Sequence, residues 1–284
     1  MRVYGRIQKI SIKNRIIAVL SEGKLVYIHM TNKILKEFKA YLSKKPYVFL
    51  EASDEKTVVE NISCLNLDYF IKIMIPSGKN AKVYYDMNDI RNNIKSLVNS
   101  LNYKMFLDLE FSWPIPYSHM PAEIVQYGYV IEDKDGKIVE EGSSLVRPLR
   151  NTSLNKGTLD FLHHEFSDFE NACPYIEFYQ LLEKKINDYD PKIIAWGRND
   201  IITLEKSFKI NHLHPLDVRN RYINLMQVMK NYYSYKKEMG LFATFQELTN
   251  GEEKEQAHDA MEDAMIAKKI FDIFKENINK EENL

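Results

Sequence analysis

The stretch MFLDLEFS, residues 105–112, constrains the fold of this chain more than any other segment. Its apolar and polar residues alternate, as they do in a β-strand that buries one face. One face carries Met105, Leu107, Leu109 and Phe111, and the other carries Phe106, Asp108, Glu110 and Ser112. Two carboxylates on one face of so apolar a strand repel each other and are costly to desolvate unless cations or water compensate them. A divalent metal ion would do so, and two acids on a solvated strand face are the alternative.

Size and composition describe an ordinary globular protein. A chain of 284 residues allows one large domain or two ordinary ones, and we expect two. The net charge of -1 provides no overall basic field, so binding to a polyanion has to rely on local Lys and Arg or on bound metal ions. Cys64 and Cys173 show no metal-ligand spacing, and no apolar run approaches the length of a membrane span. We therefore expect a cytoplasmic protein with no membrane partner.

Residues 1–85 are predicted to form a β-rich accessory domain. Three short strands rich in Ile and Val, a helix over residues 32–42 and further strand segments follow one another. This order is typical of a small barrel of the oligonucleotide/oligosaccharide-binding (OB) type, with a different β-rich module as the alternative. Residues on its presumed hairpins would suit single-stranded nucleic acid, although solvated strand faces explain them as well. They are Tyr4, Arg6, Lys9, Lys13, Arg15, Lys24 and Tyr27.

The second predicted domain spans residues 104–278. A linker of residues 86–103, with a helix over residues 89–102, precedes it, and a charged tail of residues 279–284 follows it. From residue 104 onwards strands alternate with helices, which is the pattern of an α/β layer fold.

Three further residues of this domain could carry chemistry. Asp200 follows a strand and opens a helix, where a plain N-cap is the alternative reading. Asp263 lies on a helix stripe that is otherwise apolar, with Ala267, Ile270 and Phe274. His258 precedes this helix and could act from the loop that enters it, although a lone His there is usually a polar loop residue.

Asp108, Glu110, Asp200, His258 and Asp263, in this order and setting, resemble the DEDDh family of 3′–5′ exonucleases. The resemblance covers roughly residues 104–275 and implies the ribonuclease H-like fold, a mixed sheet flanked by helices. The phrases PAEIVQYGYVI, AWGRND and AHDAMEDA look most similar to the ERI-type branch, which trims RNA 3′ ends.

The resemblance implies a metal-dependent enzyme that releases nucleoside 5′-monophosphates from single-stranded RNA or short oligonucleotides. Asp108, Glu110 and Asp263 would hold one Mg²⁺ or Mn²⁺ ion, and Asp108 with Asp200, the latter through water, would hold a second. His258 would act as the general base.

The resemblance also suggests where the terminal nucleotide binds. Ser112 and the backbone near Phe111 could bind the terminal ribose, and Phe111 or Trp113 could stack on the last base, with core packing as the alternative for both aromatic residues.

Two departures from the family pattern leave other readings open. Phe111 stands where family members often carry a small residue or Thr, and residues 159–178 match the pattern loosely. A DNA-directed proofreading or repair exonuclease is one alternative function. A non-catalytic scaffold that binds nucleic acid or protein is another.

Overall fold

The computed structural model describes residues 1–77, 80–113, 120–251 and 258–280. It divides into two compact units. The first comprises residues 1–94 and 231–236, and the second comprises residues 95–230 and 237 onwards. No helix in the described part of the chain is both long and apolar enough to cross a membrane.

The first unit is built from six strands and a helix. They are β1 (Arg2–Ser11), β2 (Ile16–Ser21), β3 (Lys24–His29), α1 (Asn32–Leu42), β4 (Tyr47–Val59), β5 (Ile62–Ser77) and β6 (Asn80–Asp86). Strands β1 to β3 form an antiparallel meander, β1 also pairs with β4, and β4 pairs with β5. A parallel pairing of β3 with β5 closes a five-stranded barrel, and β6 extends β5. The OB-type barrel predicted from the order of elements is confirmed.

Strands β4 and β5 differ most from the sequence prediction. The turn between them lies at Glu60 and Asn61, both in the left-handed region with φ of 49° and 62°, and no Gly or Pro announces it. With 13 and 16 residues, these strands far exceed the common length of about five or six. Register shifts along their pairing allow such long strands to bend around the barrel. Strand β6 was not predicted.

A helix, α2 (Met87–Ser100), follows and matches the helix predicted over residues 89–102. The later elements are β7 (Lys104–Phe111), β8 (Ile124–Glu132), β9 (Ile138–Arg147), α3 (Lys156–Leu162), β10 (Cys173–Pro174), α4 (Tyr175–Tyr189), β11 (Lys192–Ala195), α5 (Asn199–Ile210), β12 (Tyr222–Asn224), α6 (Leu225–Tyr233), α7 (Leu241–Thr249) and α8 (Ala260–Lys280).

The second unit is organised around a mixed sheet of order β10-β9-β8-β7-β11-β12. Strands β7, β8 and β9 are antiparallel neighbours, whereas β11 runs parallel to both β7 and β12. Helices pack against this sheet, so the predicted ribonuclease H-like α/β fold is confirmed.

Strand β7 contributes to packing on both faces of the sheet. Met105, Leu107 and Leu109 lie in the core with residues of α4 and α5. On the other face, the ring of Phe106 packs on Phe271 of α8 at 5.5 Å. The predicted assignment of the two strand faces is therefore confirmed.

Candidate active site

The site begins on β7. Asp108 lies opposite Gly128 of β8, and Glu110 lies opposite Gln126. Both carboxylates are on the strand face that α8 covers, where Glu110 is buried and Asp108 is half-buried.

Helix α8 adds a third carboxylate. Asp263 is buried in its first turn, and one side-chain oxygen each of Asp108, Glu110 and Asp263 lie within 4.8 Å of one another. The helix reaches the sheet this closely because β8 carries Gly128, where an added Cβ would lie 2.3 Å from the backbone carbonyl of Ala260.

Asp259 positions the start of α8. One of its carboxylate oxygens accepts the backbone N–H groups of Met261 and Glu262, at 3.1 and 3.0 Å, and acts as a helix cap. The other oxygen accepts from Gln126 Nε2 at 2.8 Å. One residue thus joins the helix terminus to β8, and no sequence motif singles it out.

Asp200 joins the site from α5. Its Oδ1 accepts the backbone N–H of Leu109 at 3.2 Å, between the two acids of β7. The pairing of β11 with β7 ends at Phe106, before Leu109 is reached. The Asp200 carboxylate therefore accepts the N–H of Leu109 in place of a carbonyl group of β11. Helix α5 begins at Asn199, so Asp200 lies within its first turn and is not the N-cap.

The turn before Asp200 is held in place by β12. The hydroxyl of Tyr222 donates a hydrogen bond to the carbonyl of Gly197. Gly197 has φ of +89°, a conformation that favours glycine.

Burial and mutual repulsion make these acids difficult to ionise. Burial, followed by the charges of Asp200, Asp263 and Glu110, raises the pKa of Asp108. Burial, followed by the charges of Asp263 and Asp200, raises the pKa of Glu110 to about 8. Burial raises the pKa of Asp200 to about 7, even though the hydrogen bond from Leu109 favours its charged form.

A cation is what this group of acids requires. Four carboxylates offer the hard oxygen donors that Mg²⁺ and Mn²⁺ prefer. A divalent ion would compensate the repulsion and stabilise the charged forms. The residues present therefore fit a metal centre.

His258 lies two residues before α8, and its ring packs against α3. The imidazole stacks on Phe161 of α3, with ring centroids 4.0 Å apart. Burial, followed by the charge of His163, lowers the pKa of His258. The neutral form, which a general base needs, is therefore favoured.

The three predicted substrate contacts have different environments. Phe111 is half-buried against the core of the second unit. Ser112 is buried, and its Oγ accepts the backbone N–H of Glu123 at 2.9 Å. Trp113 is 51% exposed, and its ring lies 5.3 Å from that of Phe161. Trp113 is thus the most accessible of the three, and the ribose and base contacts stay predictions.

Two residues around α3 were missed by sequence reasoning. Phe161 lies in α3, a helix that no sequence pattern predicts because it has only seven residues and contains Gly157. Glu123 is buried and accepts from the backbone N–H of Leu149 and from Ser153 Oγ, both at 2.7 Å, which organises the loop that leads to α3. The only sequence signal for Glu123 was an acid at the start of an apolar strand.

Comparison with known proteins found no matching family model. A curated relative, the probable 3′-5′ exonuclease KapD of Bacillus subtilis (strain 168), is 27% identical over 184 residues, covering 62% of this chain and 86% of the relative. The nuclease domain of 3′hExo, a DEDDh family member solved bound to rAMP, has a TM-score of 0.56 at 15% identity and covers 63% of this chain and 94% of its own. Cell-death related nuclease 4 (CRN-4) has a TM-score of 0.52 at 20% identity over 63% of this chain and 64% of its own.

These two structures share the fold of the second unit, and KapD adds similarity in sequence. The acidic group on β7 and α8 agrees with both findings. The resemblance to 3′–5′ exonucleases of the DEDDh type, drawn from the sequence, is confirmed by these similarities.

Proposed function

We propose that the chain is a metal-dependent exonuclease that removes nucleoside 5′-monophosphates from the 3′ ends of single-stranded RNA or short oligonucleotides. The observation that carries this proposal is the meeting of Asp108, Glu110 and Asp263 within 4.8 Å, with Asp200 bonded to the same strand. Acids that repel one another in a buried site are the hallmark of a cation centre.

Each acid has a proposed task. Asp108, Glu110 and Asp263 would hold one Mg²⁺ or Mn²⁺ ion, and Asp108 with Asp200, the latter through water, would hold a second. Such ions, when bound, stabilise the charge that develops on the phosphate and make bound water more acidic. The hydrogen bond from Leu109 keeps the Asp200 carboxylate beside β7.

His258 takes the proton from the attacking water as the general base. Its lowered pKa keeps the imidazole neutral at neutral pH, ready to accept that proton. Trp113, exposed beside Phe161, stacks on the terminal base, while Phe111 and Ser112 lie on the ribose side.

The preference for RNA rests on the resemblance of residues 121–131, 195–200 and 257–264 to the ERI-type branch, although residues 252–257 lie outside the described part of the chain. The 2′-hydroxyl is the group by which such an enzyme would tell RNA from DNA. We also propose that residues 1–85 form an accessory nucleic-acid-binding domain, joined through residues 86–103 to a catalytic domain of residues 104–278.

The direct test uses RNA and DNA oligonucleotides of one sequence, labelled at either end, with Mg²⁺ or Mn²⁺. A 5′ label should yield a ladder that shortens from the 3′ end, and a 3′ label should appear at once as mononucleotide. His258→Ala should slow the reaction by roughly 10²–10⁴-fold, the usual contribution of a general base. Asp108→Asn should abolish metal binding in calorimetry as well as activity.

Glu262→Gln is the matched control, because Glu262 is an exposed acid next to Asp263 in the same helical turn. Activity that survives both Asp108→Asn and His258→Ala would contradict the mechanism. Equal rates on RNA and DNA would contradict only the preference for RNA.

A further inference from the structure

Positive charge is unevenly distributed along this chain. Residues 1–94 contain 16 Lys and Arg but nine Asp and Glu, although the whole chain has a net charge of -1. Residues 1–94 are therefore basic, although the net charge of the whole chain does not show it. Such an excess attracts polyanions.

Much of this charge is concentrated on α1 and next to it. Six lysines there are exposed, and none forms a salt bridge with another described residue. They are Lys33, Lys36, Lys39, Lys44, Lys45 and Lys82. Glu37 is the one acid among residues 31–46. The opposite side of α1 packs into the barrel core through Leu35, Phe38 and Leu42. The lysines of α1 therefore lie on its solvent side.

Two tyrosines lie among these lysines. The rings of Tyr41 and Tyr84 are 5.6 Å apart, and both are half-buried. Lys44 Nζ lies 5.0 Å and Lys82 Nζ lies 5.6 Å from the centroid of the Tyr84 ring. Cations interleaved with aromatic rings are the combination that binds single-stranded nucleic acid, through phosphate contacts and base stacking.

This surface is not the one that OB-type barrels commonly use, which is formed by strands 2 and 3 and neighbouring loops. On β2 of this barrel, Ile16 and Ala18 alternate with the core residues Ile17 and Val19, yet they are buried as well. The middle of that strand therefore offers no open face.

We propose that the α1–β6 face, formed by Lys33, Lys36, Lys44, Lys82, Tyr41 and Tyr84, binds the single-stranded nucleic-acid substrate along its phosphate backbone. The proposal rests on the proposed function for the identity of this ligand. Lys33 and Lys36 lie about one turn apart on α1, so they can contact successive phosphates. Longer substrates are thereby held more tightly than short ones.

The test measures binding of a fluorescent single-stranded 20-mer RNA to the full-length protein in EDTA, by anisotropy over a series of salt concentrations. Lys33→Ala, Lys36→Ala and Lys44→Ala combined should weaken binding about tenfold or more. They should also reduce the slope of log K against log salt by about 2, since each phosphate contact on a single strand contributes about 0.7. Tyr84→Leu should weaken binding at an unchanged slope, because the ring carries no charge.

The comparison variant removes the same charge from the competing surface of the same unit, with Lys9→Ala, Lys13→Ala and Lys24→Ala, the exposed lysines of the barrel strands and turns that the sequence also suggested as a binding surface. Equal loss of affinity and slope in both triple variants would overturn the proposal. The proposal would also be overturned if the triple variant of the α1–β6 face lost binding to phosphatidylserine vesicles but kept its binding to RNA, since the face would then suit an anionic membrane.

Hydrolysis of a labelled dinucleotide with Mg²⁺ separates this proposal from the proposed function. A dinucleotide is too short to occupy both a 3′-end site and a second contact, so the triple variant of the face should cleave it at the wild-type rate and raise KM for the 20-mer. If the wild-type protein cleaves neither substrate, the proposed function fails. The binding comparison in EDTA still decides the α1–β6 face.

Discussion

At the scale of single residues, the candidate active site is a group of carboxylates that the protein holds together against their repulsion. Asp108, Glu110 and Asp200 all have pKa values raised first of all by burial. The folded protein without metal therefore binds protons that the unfolded chain releases. Metal binding and stability should both depend on pH as a result.

The first prediction concerns the metal-free protein. Since the pKa of Glu110 is about 8 and that of Asp200 is about 7 in the folded protein, against ordinary values of 4.5 and 3.8, the free energy of unfolding should fall as pH rises from about 4 to 8. Asp108→Asn removes one of the repelling charges. The variant should be more stable than wild type by roughly 1–3 kcal/mol at pH 8 in EDTA, since one pKa unit corresponds to about 1.4 kcal/mol.

Thermal unfolding in EDTA at pH 5 and pH 8 measures this effect. The advantage of Asp108→Asn should shrink at pH 5, and Mg²⁺ should raise the unfolding temperature of the wild type but not of the variant. Glu262→Gln, with its exposed carboxylate, should behave as wild type. A variant that is less stable than wild type at pH 8 would show that repulsion does not dominate this site.

The second prediction concerns the contact of Phe161 with His258. Phe161→Ala removes the ring that buries the imidazole, so the pKa of His258 should rise towards its usual value. Less neutral His258 would be present at acidic pH, and the acidic limb of the rate profile should move to higher pH. Phe166→Ala, which removes an exposed ring from the following segment, is the control. An acidic limb that stays in place in Phe161→Ala would contradict this role.

At the scale of elements, the site depends on how closely α8 approaches the sheet. Asp108 and Glu110 are fixed by β7, but Asp263 meets them only if the first turn of α8 lies directly on β8. Gly128 makes this approach possible, because any side chain there would occupy the position of the Ala260 backbone.

Gly128→Ala should therefore push α8 outward, with a loss of about 2–4 kcal/mol of stability, at or above the upper end of the usual cost of overpacking. Metal affinity should fall as well, because Asp263 moves with the helix. Urea unfolding and Mg²⁺ titration by calorimetry measure the two effects. Gly240→Ala adds the same methyl group in open space at the N-cap of α7, so it should leave metal affinity unchanged and cost no more than about 1 kcal/mol, because Gly is preferred to Ala at an N-cap. Wild-type stability and affinity in Gly128→Ala would show that α8 can adjust.

At the scale of the whole molecule, the chain crosses between the two units more than once. Residues 231–236 belong to the first unit, although they follow most of the second unit in sequence. Within the first unit, Arg91 Nε donates to the carbonyl of Tyr232 at 2.9 Å, and Lys236 pairs with Asp68 at 2.6 Å. A cut in the predicted linker of residues 86–103 therefore does not separate two independent pieces of chain.

A chain shortened to residues 95–284 should be less soluble and less stable than the full-length protein, because Tyr232, which is 4% exposed, loses its partners in the first unit. Soluble yield and the temperature of thermal unfolding measure this prediction. Asp68→Asn in the full-length chain removes only the ion pair to Lys236 and should cost about 1 kcal/mol or less. If the shortened chain unfolds at the same temperature as the full-length protein, residues 231–236 do not need their contacts with residues 1–94 for stability.

The sequence by itself determined the features that depend on neighbours along the chain. Alternation assigned the two faces of β7, and helical spacing placed Asp263 on a buried stripe. The order of elements indicated an OB-type barrel followed by an α/β layer fold, which the family resemblance narrowed to the ribonuclease H-like type. Periodicity is a local property, so it can be read before the fold is known.

Only the tertiary structure decided what depends on residues far apart in sequence. Asp200 could have been a plain helix cap, and its bond to Leu109, 91 residues away, shows otherwise. The contact of Asp259 with Gln126 joins residues 133 positions apart, and His258 packs on a helix that no pattern predicted. Such contacts exist because the sheet brings strand ends and helix termini together that are far apart in sequence. A pattern along the sequence cannot predict that packing.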